Sequence, residues 1–349
     1  MSDLFTPWVL DLFAGPGGWD QGARDAGLDL SIFGVDNSPA ACATARAAGY
    51  NRALADAMTL NLTRFDACVG LIASPPCPTW SAAGRHSAKS DAGLVGDTVT
   101  AIGAWVPDEY GDPARWSDVE WPEIVGMCRT ADPRTALFAA AMWAATRLPR
   151  LEWIAMEQVP AARELFDDMA IELESIGWST EVATICASDL GLPVRRKRVY
   201  LTARYGGPTP LVDWTPGPRV TAAQALGWPP GHRMVARPGT GGGKRQTFST
   251  DGPSWALTRS ARSWKRDDGV PLTAAQAGRL QGFPLDYPWT GTKAEQFLQI
   301  ADVVLPPIAG RVLTAVTQNG RKQWDGHENR PVRPGHDSSD KWRIGYPAA

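Results

Sequence analysis

The residues best suited to chemistry sit where apolar runs stop. Ser74-Pro-Pro-Cys77-Pro78 follows an apolar run at residues 67–73. Its prolines fix φ on either side of the cysteine and present the thiol on a rigid turn. A cysteine so placed is a candidate nucleophile, because the thiolate is the reactive form and needs an accessible, polar setting. Met156-Glu157-Gln158 puts a carboxylate at the end of another apolar run, so Glu157 and Cys77 are expected to converge on one edge. Arg195-Arg-Lys-Arg198 leads into Val199-Tyr-Leu201, and strand alternation would put Arg196 and Arg198 on one face, Arg195 and Lys197 on the other. Ala14-Gly-Pro-Gly-Gly18 breaks the run at residues 9–13. Its glycines allow a ligand close to the backbone. Asp36 follows roughly 20 residues later, the spacing of a ribose-hydroxyl acceptor, and Asp56 closes a third candidate strand as an acceptor for an adenine amino group. A dinucleotide turn would carry a third glycine where Asp20 stands, which argues against a nicotinamide cofactor. The four histidines, His86, His232, His327 and His336, avoid the strand ends, which argues against Ser-His-Asp and Cys-His catalysis.

The elements that must position these residues alternate strand with helix. Strands are expected at 9–13, 30–35, 67–73 and 151–156, besides the one that Asp56 closes, with Cys68 inside the strand at 67–73. Ser38 is expected to cap a helix over 38–48 with Pro39 at its first position. An amphipathic helix is expected at 136–146, and helical periodicity returns at 273–281 and 294–316. Such alternation predicts an α/β fold with a doubly wound, mostly parallel sheet, in which ligands gather at the carboxyl ends of strands. Residues 82–132 read as a long loop rich in Gly, Asp and Trp. Residues 205–268, rich in Pro, Gly, Arg and Trp, read as a separate small, irregular and β-rich domain. The tail at 319–349 is polar and expected to be disordered.

Charge divides the chain. Residues 1–189 carry 12 Lys and Arg against 26 Asp and Glu, whereas residues 190–349 carry 23 against 11. An acidic half joined to a basic half fits an enzyme whose second half meets phosphate. The five cysteines, Cys42, Cys68, Cys77, Cys128 and Cys186, form no Cys-x-x-Cys pair, so neither a zinc site nor a disulfide framework is expected. No apolar run of about 20 residues and no signal peptide are apparent, and a cytoplasmic location is expected.

The motifs occur in a familiar order. Asp11-Leu-Phe-Ala-Gly-Pro-Gly-Gly18, Pro75-Pro-Cys77-Pro-Thr-Trp-Ser81, Glu157-Gln-Val159, Gly191-Leu-Pro-Val-Arg-Arg-Lys-Arg198, Arg279-Leu-Gln-Gly-Phe-Pro284 and Gln299-Ile-Ala-Asp-Val303 resemble those of bacterial and phage cytosine-C5 DNA methyltransferases. The resemblance covers about residues 8–204 and 270–317. It implies an S-adenosylmethionine-dependent enzyme on double-stranded DNA, with Cys77 the nucleophile and Glu157 the acid meeting N3 of the base. Arg196 and Arg198 match the pair that holds the target base and the catalytic loop. Phe13, Gly15, Asp36, Asn37, Asp56, Pro76 and Leu137 fall on cofactor-contacting positions. The implied division is a catalytic and cofactor domain at 1–204 with its insertion at 82–132, target recognition at 205–268, and a return to the catalytic domain at 269–318. Ser81, Arg85, Lys244, Arg245, Arg259, Arg262 and Lys265 are the expected DNA contacts. No metal is required, the chain is expected to be a monomer, and a cognate restriction endonuclease is a conceivable partner.

Three positions depart from the family pattern: Val194 for a glutamine, Ala301-Asp302 for Gly-Asn, and Gln158 for an asparagine. Two alternatives share this scaffold, action on RNA and transfer of a modified one-carbon group. A DNA-binding relative with impaired catalysis is a third.

Overall fold

The structure, a computed structural model, describes residues 8–76, 95–99, 133–237 and 246–318. Cys77, Ser81, Arg85, Lys244 and Arg245 lie outside the described residues, as do most of the expected loop at 82–132, the glycine run at 239–243 and the tail at 319–349.

Seven strands form one sheet in the order β3-β2-β1-β4-β5-β8-β6. The strands are β1 (Trp8–Leu12), β2 (Ser31–Asp36), β3 (Asn51–Leu54), β4 (Gly70–Ala73), β5 (Trp153–Gln158), β6 (Trp178–Cys186) and, beyond the short β7 (Val194–Arg195), β8 (Lys197–Tyr205). The first five pair in parallel, while β8 lies antiparallel between β5 and β6. The strand order reverses between β1 and β4, and a crevice opens at the carboxyl ends of strands at such a switch point.

Successive residues of the inner strands enter opposite cores, as the pleat requires. Leu10, Leu71, Ile154 and Leu201 join Phe138, Met142, Phe166 and Met169 of α3 (Pro133–Arg147) and α4 (Arg163–Ser175). Val9, Ile72, Ala155 and Tyr200 join Trp19 of α1 (Gly18–Asp25) and Ile308 and Val312 of α8 (Pro306–Gln318). Helices therefore cover both faces of the sheet. Ser38 caps α2 (Pro39–Ala47), accepting from the Ala41 amide at 3.3 Å, with Pro39 in the first turn.

Three expectations need correction. Helix α3 is not amphipathic: residues 136–145 are all buried, because Val95, Val99 and Phe166 share its cluster and leave no solvent face. Cys68 precedes β4 rather than lying within it, since the amide of Cys68 closes a turn onto the Phe65 carbonyl at 2.8 Å. Burial pushes its thiol up to about 12, which makes it inert. The periodic stretch at 294–316 is two helices, α7 (Lys293–Asp302) and α8, because Pro306 disfavours helical geometry at Leu305 and supplies no amide hydrogen. Over the 25 residues Lys293–Thr317 that stretch has the composition of a membrane span, yet 72% of its most apolar window is buried inside the protein.

Between β8 and α7 lie α5 (Ala222–Leu226), α6 (Ala274–Leu280) and a three-stranded antiparallel sheet, β10-β9-β12, formed by β9 (Arg233–Arg237), β10 (Gln246–Ser249) and β12 (Lys265–Arg266). Phe248 stacks on Trp255 at 4.9 Å and meets Trp264 edge-on at 5.4 Å, while the Arg266 guanidinium lies 5.2 Å from the Trp228 ring. The tryptophans of this region are thus mostly used in packing. β11 (Ser254–Trp255) pairs with β7, which buries Val194 completely and gives an apolar residue its reason at that departure from the family pattern.

Candidate active site

The crevice at the switch point holds a cavity of about 230 Å3. The turn after β1 forms one wall. Phe13, Gly15 and Gly17 all have positive φ, at 61°, 55° and 103°, and the chain enters α1 directly from Gly17. A non-glycine residue in this region is strained, and Phe13 is the only one among the described residues. The Gly15 amide donates to Asp36 Oδ2 at 2.8 Å, and the Ser38 amide donates to Oδ1 at 2.8 Å. Asp36 therefore anchors the turn and starts the loop into α2 while its carboxylate borders the cavity.

Beneath the turn lies a buried charge cluster. Arg52 Nη2 donates to Asp20 at 2.7 Å, and Nη1 stands 4.0 Å from Asp11. Gly34 makes room for it, since a Cβ there would fall 1.1 Å from Arg52 Nη1. Burial pushes Asp11 well above the usual carboxylate range and raises Asp20, with Arg52 opposing both shifts. Asp20, which stands where a dinucleotide turn would have glycine, is thus an ion-pair partner.

The run toward Cys77 forms the second wall. Ser74, Pro75 and Pro76 line the cavity. Trp19 Nε1 donates to Ser74 Oγ at 2.9 Å, and Gln158 Nε2 donates to the Pro75 carbonyl at 2.8 Å. Gln158 Oε1 in turn accepts from the Val159 amide at 2.7 Å. The glutamine that departs from the family pattern thus ties β5 to the Ser-Pro-Pro segment.

Glu157 and the arginines form the third wall. Arg198 Nε lies 2.8 Å from Glu157 Oε1. Burial raises the Glu157 pKa, Arg198 and Arg196 oppose that shift, and Asp302 adds to it. Arg196, 2% exposed, donates to the carbonyls of Ala301 and, at 2.9 Å, Val303. It brackets Asp302 and satisfies carbonyls that the end of α7 leaves unpaired. Arg195 and Lys197 are exposed, so the expected alternation of this run is observed.

Of the expected residues, the structure brings Phe13, Gly15, Asp36, Asn37, Pro76, Glu157, Arg196 and Arg198 around the cavity. Asp56 is exposed beyond β3 and Leu137 is packed in the core; neither lines it. Arg259, Arg262 and Lys265 are exposed near and within the small sheet. Residues not foreseen as site residues also line the cavity, notably Glu295, Leu298, Gln299, Asp302 and Val304 from α7 and the segment after it. Gln299 and Asp302 fall within the Gln299-to-Val303 motif, whereas Glu295, Leu298 and Val304 lie outside it. A larger hollow of about 430 Å3 lies between α1 and α8, and none of the expected residues lines it.

The cavity suits an adenosyl cofactor. Gly15 faces open space, with nothing within 4 Å of a Cβ built there, and an acid stands at the end of the neighbouring strand. Fold and site together define a doubly wound α/β protein with a candidate cofactor crevice at the switch point.

Residues 8–107 match the family described as C-5 cytosine-specific DNA methylase. The chain is 25% identical over 325 residues to the Type II methyltransferase M.HgiDI of Herpetosiphon aurantiacus, covering 85% of this chain and 89% of that one. It is 22% identical over 335 residues to the Type II methyltransferase M.NgoMIV of Neisseria gonorrhoeae, covering 87% and 95%. Its fold is similar to that of the S. pombe Dnmt2 methyltransferase, with a TM-score of 0.58 at 16% identity over 89% of this chain and 98% of that one. The family match and the two Type II methyltransferases together support placing the protein with the cytosine-C5 DNA methyltransferases.

Proposed function

We propose that the chain methylates C5 of a cytosine swung out of duplex DNA, with S-adenosylmethionine as the methyl donor and Cys77 as the nucleophile. The observation that carries this reading is the convergence of three groups on one cavity: the glycine turn with Asp36, the Ser74-Pro75-Pro76 run leading to Cys77, and the Glu157–Arg198 pair. Phe13, Gly15, Asp36, Asn37 and Pro76 would hold the cofactor, which supplies an electrophilic methyl group.

C5 of cytosine is a poor nucleophile and is stacked out of reach in a duplex, so the base must be flipped at a cost of a few kcal/mol. The Cys77 thiolate adds to C6, forming the S–C6 bond. Glu157, whose pKa burial raises, engages N3 so that negative charge does not build on the ring. C5 then has enamine character and takes the methyl group, whose bond to the donor sulfur would break to leave S-adenosylhomocysteine. Loss of the C5 proton and elimination of the thiolate restore the ring and the free enzyme. Arg198 holds Glu157 in orientation, and Arg196 holds the end of α7 against the cavity.

The division into a catalytic domain, a recognition segment at 205–268 and a return at 269–318 belongs to the same proposal. The small antiparallel sheet and the exposed Arg262 and Lys265 support it. A cytoplasmic monomer, with or without a restriction endonuclease partner, is consistent with it. Cys77→Ser should abolish turnover and leave cofactor affinity within a few-fold of wild type. DNA carrying 5-fluorocytosine should trap a covalent adduct through Cys77, and residual turnover in the variant or failure to trap would count against the mechanism. Bisulfite sequencing of DNA from expressing cells reads activity, base and sequence context together.

A further inference from the structure

The cofactor turn has little means of holding itself. Left-handed φ values at Phe13, Gly15 and Gly17 alternate with Ala14 and Pro16, so no repeating helical or strand ladder runs through it. Its amides are tied by the Val35 carbonyl, which accepts from Ala14 at 3.0 Å, and by Asp36, which accepts from Gly15. Pro16 has no amide hydrogen, and its carbonyl accepts from Tyr287 Oη at 2.5 Å, across 271 residues of sequence.

Tyr287 is itself locked. Its ring is 6% exposed and lies between Phe283, at 4.5 Å, and Trp289, at 4.9 Å. It reaches the turn closely enough to restrict the sequence there: a Cβ on Gly17 would lie 3.0 Å from the Tyr287 oxygen and 2.6 Å from the Tyr50 ring. Glycine is therefore required at position 17 both by φ and by the side chains that close over it.

We propose that Tyr287 is a positioning residue for cofactor binding: its hydroxyl clamps the Pro16 carbonyl and holds the Gly15-Pro16-Gly17 backbone in its cofactor-ready shape. The clamp lies below the turn and does not line the cavity. It acts on the cofactor through the backbone it fixes. This rests on reading the turn as the S-adenosylmethionine site. Tyr50 supplies an internal comparison, since it packs in the same cluster but donates to Gln21 Oε1 at 2.7 Å, within α1, rather than to the turn.

The test compares the full-length wild type, Tyr287→Phe and Tyr50→Phe by calorimetry with S-adenosylmethionine, by steady-state kinetics, and by amide hydrogen exchange of the free proteins. Loss of one buried hydrogen bond to the turn should weaken Tyr287→Phe binding about tenfold. KM for the cofactor should rise by a similar factor, more than kcat falls. Exchange should quicken at residues 14–18 and stay unchanged in β1 and β4. Tyr50→Phe should bind within about twofold of wild type on the same scale. Wild-type affinity in Tyr287→Phe, or an equal loss in Tyr50→Phe, would overturn the clamp alone. Faster exchange throughout β1 and β4 would also overturn it, because the role would then be general packing. A wild-type chain that bound no S-adenosylmethionine would overturn the cofactor reading, and the clamp with it.

Discussion

Arg198 Nε stands 2.8 Å from Glu157 Oε1 in a site where 15% of one side chain and 7% of the other is exposed. The guanidinium favours the carboxylate, but burial outweighs it and the carboxyl pKa is raised. An oriented acid with a raised pKa is what addition at C6 calls for, since N3 gains electron density as the thiolate attacks. Glu157→Gln preserves shape and a donor but has no proton to give. Turnover should fall about 100- to 1,000-fold, within the range for general acid catalysis, with S-adenosylmethionine affinity unchanged. Single-turnover methylation of duplex DNA measures the first, and calorimetry the second.

The acid at the end of α7 should show itself in a pH profile. Asp302 raises the Glu157 pKa, whereas Arg196 and Arg198 lower it, and Tyr200 is a further titratable neighbour among the described residues. Replacing Asp302 by Asn removes a raising influence and leaves the lowering ones. The Glu157 pKa must then fall, and the alkaline loss of kcat/KM should begin at lower pH than in wild type. A limb that stayed in place, or moved to higher pH, would mean that Glu157 is not the group being titrated.

Asp36 carries two duties that substitutions can separate. It accepts from the Gly15 and Ser38 amides and also borders the cavity as the expected ribose acceptor. Asp36→Ala should weaken S-adenosylmethionine binding by about 1.5–3 kcal/mol, the range for hydrogen bonds to a charged group. Asp36→Asn, which retains one acceptor oxygen, should lose less. Equal affinity of Asp36→Ala and wild type by calorimetry would rule out the ribose assignment.

Exposed cations of the small β unit should be felt in salt dependence. Alanine at Arg262 and Lys265, both exposed, should lower affinity for all duplex sequences alike. It should also flatten the slope of log K against log salt by up to about two units. The same is expected of Lys244 and Arg245 if the glycine-flanked segment meets phosphate. An unaltered slope in fluorescence titrations would move the phosphate contacts elsewhere in the basic half.

What could be read ahead of the structure was local. Gly15, Asp36, Pro76 and Glu157 each end an apolar run, and a break in periodicity is visible in a short window. The alternation of Arg195 to Arg198 follows from the two-residue repeat of a strand. The antiparallel seat of β8 between β5 and β6 was not visible, because alternation reports faces and carries no direction. Helix α3 was misread because its own composition does not reveal what covers its outer side. Trp19 and Ser74 are 55 residues apart, and neither type marks the other in the chain. Gln158 could be seen as a departure from the family pattern, but its grip on the Pro75 carbonyl needed coordinates.

The bond between Tyr287 and Pro16 also sets an order of events at the ribosome. The turn is made first, and the phenol that secures it follows 271 residues later. At roughly 5–20 residues per second, that delay is about 15 to 55 seconds. The Val304 carbonyl, which approaches Gly18 so closely that a Cβ would lie 2.2 Å from it, arrives later still. A nascent chain therefore has the strands of the crevice before it has a finished cofactor pocket, and chains released before this segment is made should be unable to engage the methyl donor tightly.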